Sequence, residues 1–136
     1  DMDFDATTIR VFLHVLGASV WVGGQIVLAA LVPTVRDLAE DGPKKAARAF
    51  NRVAWPFFGL AVVTGVWNLL EIDVADRSSS YQVGLLLKLL IVAASGVSAY
   101  LHTTATKRSM LALFGAIGGV TALLALLFGA MLATSF

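Results

Sequence analysis

The sequence predicts an all-α integral membrane protein: a four-transmembrane-helix bundle with both termini extracytoplasmic. Three observations predict it. Hydrophobic residues make up 58% of the 136-residue chain and charged residues only 14%, well off the balance of a soluble domain. The charges cluster between long apolar runs instead of alternating with them. Four of those runs reach the roughly 20 residues that a helix needs to cross a hydrocarbon core of about 30 Å. Each run must be helical, because unpaired backbone groups in lipid cost several kcal/mol apiece. No period-two alternation points to a barrel. The length fits one domain over residues 1–136, with spans at about 8–33, 52–71, 81–105 and 109–134.

The first span runs from Thr8 and is expected to close at Pro33. Its apolar run from Val11 to Pro33 is too long for a signal-peptide core and lacks a clean small-x-small exit. The opening Asp1-Met2-Asp3 fits a trimmed or processed start. Asp41-Gly42-Pro43 is a turn with Pro at a first helical position, so the second helix should begin early. Its opening, Lys44 to Arg52, is a basic ramp at the membrane surface, and Pro56 is placed to kink the helix beyond it. Glu71 to Ser80 is a polar acidic loop in which Ser78, Ser79 and Ser80 are capping candidates for the third helix. Only a tight turn around Lys107-Arg108-Ser109 separates the third and fourth helices. There is no internal repeat.

Charge sets orientation. Arg36, Lys44, Lys45, Arg48, Arg52, Lys107 and Arg108 fall on one side of a four-span chain. Arg10 and Arg77 fall on the other, beside Asp1, Asp3, Asp5, Asp73 and Asp76. The positive-inside rule then places both termini outside the cytoplasm, and the expected location is a bacterial cytoplasmic (inner) membrane. A net charge of +1 gives no case for nucleic acid. The absence of cysteine excludes disulfides, iron–sulfur clusters and thiolate metal sites within this chain.

Ionisable residues inside spans are costly and mark functional candidates. His14 lies roughly 9 Å into the first helix and Lys88 roughly 10 Å into the third. Both fall in the outer half, where Asn68 and Glu71 of the returning second helix also arrive. Helical spacing groups His14, Ala18, Trp21 and Gln25 on one face of the first helix. Leu60, Thr64, Asn68 and Glu71 share a face of the second, and Lys88, Val92, Ser95, Ala99 and His102 a face of the third. These polar stripes are expected to face the bundle interior. His102 lies about 21 Å along the helix from Lys88 and reads as interfacial, or at most a second minor site. The bland readings are that Lys88 snorkels outward and that His14 bonds Asn68 or a backbone carbonyl. The three tryptophans serve first as packing or belt residues.

The fourth helix has no polar stripe. Gly115 and Gly119 form a GxxxG, continued by Gly118, Ala122, Ala125, Gly129 and Ala133. Small faces let helices approach closely, either in a homodimer through the Gly115/Gly119 face or within the bundle.

The string His14-Val15-Leu16-Gly17-Ala18-Ser19-Val20-Trp21-Val22-Gly23-Gly24 resembles the first helix of the copper-resistance protein D (CopD) family. Similar too are Phe50-Asn51-Arg52 leading into Val63-Thr64-Gly65-Val66-Trp67, and Tyr81-Gln82-Val83-Gly84 leading into Lys88-Leu89. The pattern also looks like the related HemJ-type membrane protein, a b-haem protoporphyrinogen oxidase. That resemblance implies an important first-helix histidine and third-helix lysine, positions on which His14 and Lys88 fall. The expected function is therefore a membrane b-type haem protein with a redox role: electron transfer, or oxidation of a membrane-soluble or porphyrin substrate. His14 would be the metal ligand, and Lys88 a second ligand or a propionate partner. Gly17, Ala18, Gly23 and Gly24 would make room for the ring, Trp21 and Phe58 would wall it, and Asn68 arrives at the same level. The first alternative is copper uptake or relay of the CopD type. Copper(I) favours several soft ligands, and the chain offers only Met2, Met110 and Met131 besides its histidines. The second alternative is a non-catalytic subunit of a larger membrane complex. The sequence leaves open whether the chain is an enzyme and which redox partner it meets.

Overall fold

The computed structural model describes residues 2 and 4–135. Asp1 and Asp3, two of the acidic residues expected on the extracytoplasmic side, lie outside them. The fold class is the one expected: the described residues are all-helical, without strands, and four helices are long and apolar enough to cross a membrane. They are α1 (Ala6–Leu38), α2 (Gly42–Leu70), α3 (Ser79–Thr104) and α4 (Arg108–Ala133), with a 3₁₀ turn at Val74–Asp76. The chain is thus an integral membrane protein. It divides into two compact units, Asp1–Ile72 and Asp73–Phe136. Each is an antiparallel helical hairpin, α1 with α2 and α3 with α4.

The first hairpin starts at an N-cap. The Asp5 carboxylate accepts from the Thr8 backbone N–H at 2.9 Å and from the Thr8 hydroxyl at 3.0 Å, satisfying an otherwise orphaned donor of the first turn. The Thr8 backbone bond first, and its hydroxyl second, hold the Asp5 carboxyl below the usual carboxylate range. A lowered value means that the cap's stabilisation is complete above the unfolded pKa and is lost as pH falls through the folded one. Acidification below about pH 4 should therefore lower the protection factors of the first-turn amides of α1, measured against their intrinsic exchange rates at each pH. Asp5→Asn should remove that pH dependence, and wild-type protection factors that stay constant across this range would contradict it.

α1 has 33 residues, so at 1.5 Å per residue it spans roughly 50 Å and extends past the bilayer core. It does not close at Pro33 but runs on to Leu38. The proline removes only one intrahelical bond, and it does so at an exposed position. The helix ends instead at Ala39, where the backbone becomes extended. The return into α2 is tight: the Gly42 N–H donates to the Ala39 carbonyl at 3.0 Å. A Cβ at Gly42 would collide with the Val35 carbonyl, so glycine is required there. Pro43 occupies the first helical turn, as expected, and α2 continues through Pro56.

α1 and α2 pack through small residues and one aromatic cluster. Gly17 lies against α2 so closely that a Cβ would stand 2.7 Å from the Phe57 carbonyl oxygen and 2.9 Å from the Ala61 nitrogen. Trp21, 5% exposed, packs on Trp55 at 5.1 Å and Phe58 at 4.4 Å between ring centroids. Such offset and edge contacts add to the area these rings bury.

The second hairpin begins at Ser78, whose hydroxyl accepts from the Tyr81 N–H at 3.2 Å. The Gln82 amide donates to the carbonyls of Val74, Ala75 and Arg77 at 2.9–3.3 Å, tying the preceding turn onto α3. Along the hairpin the polar stripe of α3 meets the small-residue stripe of α4. Ser95 Oγ reaches the Gly118 carbonyl at 3.5 Å, and Ser95, Gly118 and Ala122 are buried. Glycine on α4 gives the room that these α3 side chains occupy.

Candidate functional site

His14 sits in the third turn of α1 and faces α2. Its Nδ1 lies 2.9 Å from the Ala61 carbonyl oxygen and 3.0 Å from Thr64 Oγ1. A carbonyl only accepts, so Nδ1 carries the proton, and in the neutral tautomer with that proton the lone pair lies on Nε2. Thr64 is 2% exposed; its hydroxyl donates to the Leu60 carbonyl at 2.7 Å, leaving its oxygen to accept from His14. Gly65 completes the seat, since a Cβ there would stand 3.3 Å from His14 Cε1. One helix therefore fixes the tautomer, the ring plane and the closeness of approach. This is how outer partners orient a metal-binding histidine. It is also how a structural histidine is satisfied.

The other sequence-selected residues divide. Trp21 lies in the aromatic cluster of the first hairpin, and its carbonyl accepts from the Gln25 amide at 3.0 Å. Asn68 is half-buried on α2, one turn beyond Thr64, and is not the partner of His14 Nδ1. The space at Gly17 is filled by the α2 backbone, and that at Gly24 by the Phe50 ring. Both glycines thus bring α2 in, and the face of α1 toward α2 holds no gap for a flat ring at either position. Lys88 belongs to the second unit, where its Nζ lies over Gly129 of α4; a Cβ there would stand 3.1 Å away. It is half-buried against the neighbouring helix.

His102 repeats the arrangement of His14. Its Nδ1 donates to the Leu111 carbonyl at 2.8 Å, and a Cβ at Gly115 would stand 3.2 Å from its Cε1. In both hairpins, then, a histidine bonds the carbonyl of one residue and lays its ring edge on the glycine four positions later. His14 does so at the open end of its hairpin and His102 near the turn. Gly115 is accordingly engaged inside the hairpin, whereas Gly119 has no atom within 4 Å of its Cβ position.

Sequence reasoning missed Ala61, Thr64 and Gly65 as the seat of His14, although Thr64 lay on the polar stripe of α2. It also missed Arg10, one turn outward of His14. Among the described residues no three or more His, Cys, Asp or Glu side chains converge on a metal-sized site. No family model, curated protein or solved structure matches the chain.

Proposed function

We propose that this integral membrane protein binds a b-type haem that His14 would hold as a ligand, and that it serves a redox role in a bacterial cytoplasmic membrane, its termini extracytoplasmic. The observation that supports the reading is the double anchoring of His14 Nδ1 by Ala61 and Thr64, which leaves the lone pair on Nε2. A b-type haem asks the protein for one or two such nitrogens, whereas copper(I) asks for several soft ligands. The donor chemistry of His14 fits haem. The glycines that α2 covers, Gly17 and Gly24, do not supply the room, whereas the position at Gly23 is open, so the ring would lie on a side of α1 away from α2.

Haem held there would supply one-electron chemistry at membrane depth, suited to electron transfer or to oxidising a lipid-soluble or porphyrin substrate. The chain's own part is to orient. Ala61 and Thr64 hold the proton on Nδ1 and fix the ring's orientation, and Gly65 lets the ring seat against α2. The basic residues at each hairpin's turn, Arg36, Lys44 and Lys45 in the first and Lys107 and Arg108 in the second, set the cytoplasmic side.

The test is a visible spectrum with metal analysis on protein purified from cells supplied with haem and, separately, with copper. A Soret band and stoichiometric iron are expected. Copper without a Soret band would turn the reading to copper handling, and neither metal would leave a non-catalytic subunit.

A further inference from the structure

The open end of the first hairpin holds a second polar feature. Arg10 lies four residues before His14, on the same face of α1 and one turn nearer the helix start. Its side chain is 13% exposed. Its Nε is buried without a hydrogen-bond partner among the described residues. Among the described residues its one ion-pair partner is Glu71, which is 53% exposed and stands 3.8 Å from one terminal nitrogen, too far for a hydrogen bond. The Trp67 ring lies 5.9 Å from the guanidinium carbon, a cation–π distance.

A guanidinium keeps its charge at every accessible pH, so it cannot escape burial by losing a proton. Its planar fork matches a carboxylate or a phosphate bidentately. Here that fork is held in the second turn of a spanning helix, flanked by a ring face and a loose carboxylate, with hydrogen-bonding capacity unused.

We propose that Arg10 is an anion site, taking the carboxylate or phosphate head of an amphiphile whose apolar body lies in the membrane. Two sources share that chemistry: the propionates of a haem and the phosphate of an anionic lipid. The first rests on the haem reading above, and the second does not.

The experiment compares probe pairs differing only in the anionic group, on full-length protein in an uncharged detergent. One pair is haemin and haemin dimethyl ester, read by absorption titration. The other is phosphatidylglycerol and phosphatidylcholine, read by native mass spectrometry and thermal shift. Wild-type protein should prefer the anionic member of at least one pair by roughly tenfold, the effect of a charge-assisted hydrogen bond. Arg10→Gln should abolish that preference, Arg10→Lys should keep part of it, and Glu71→Gln should strengthen it by removing the competing carboxylate. No preference in either pair, or one that survives Arg10→Gln, overturns the proposal. Should Arg10→Gln fail to fold, Glu71→Gln decides: tighter anion binding supports the site, and unchanged or weaker binding overturns it. Haemin and its ester binding equally would remove Arg10 from the haem but not the haem itself. Neither binding would remove the haem and leave the lipid pair to decide the anion site.

Discussion

Gly17→Ala should destabilise the first hairpin by about 1–3 kcal/mol, the usual cost of overpacking a tight contact. The added methyl would stand 2.7 Å from the Phe57 carbonyl oxygen and 2.9 Å from the Ala61 nitrogen. Both are backbone atoms of α2, so no side-chain rotation relieves the clash and the helices must separate. Alanine's better helix propensity returns less than about 1 kcal/mol. Gly23→Ala is the control, because nothing lies within 4 Å of its Cβ position; it should leave stability unchanged or slightly raised. Thermal unfolding of both variants in mild detergent checks this, and equal melting temperatures would refute the packing described. Displacing α2 at Ala61 also displaces the acceptor of His14. Gly17→Ala should therefore weaken any ligand bound at His14 Nε2 as well.

The second large effect is expected at His14 itself, and magnitudes separate its two readings. If the imidazole only joins helices, His14→Ala removes interhelical hydrogen bonds that in membrane proteins average about 0.6 kcal/mol and reach about 1.7. The loss would then appear as a small drop in stability with no spectroscopic consequence. If Nε2 is an iron ligand, His14→Ala removes bound haem altogether, whereas Thr64→Val weakens binding by the roughly 10- to 100-fold typical of an outer partner. The ranking wild type, Thr64→Val, His14→Ala in haem retention is the signature of a ligand. Equal retention in all three is the signature of a structural histidine.

These expectations also show what the sequence could and could not reveal. Four spans were legible because crossing lipid demands an uninterrupted apolar run and a closed hydrogen-bond ladder, both local properties. Pro43 in the first turn of α2 and Ser78 as the cap of α3 were legible for the same reason. Pro33 misled: proline at an exposed helix position need not end the helix, and the chain reverses only where Gly42 can pass the Val35 carbonyl. His14 stood out as an ionisable residue in a span, but its seat did not. Ala61, Thr64 and Gly65 become its partners only through the register of two antiparallel helices, which no local pattern fixes. The glycines of α1 and α4 looked like room for a ring or a second copy. Gly17, Gly24, Gly115 and Gly129 are instead filled from within their own hairpins, by backbone, by Phe50, by His102 and by Lys88. A small residue marks close approach without naming what approaches.

Whether the first-helix imidazole ligates iron is tested most directly by a stoichiometric haemin titration of wild type and His14→Ala. A saturable Soret shift at one haem per chain that vanishes in the variant is the predicted result. An identical titration curve for both proteins would contradict it.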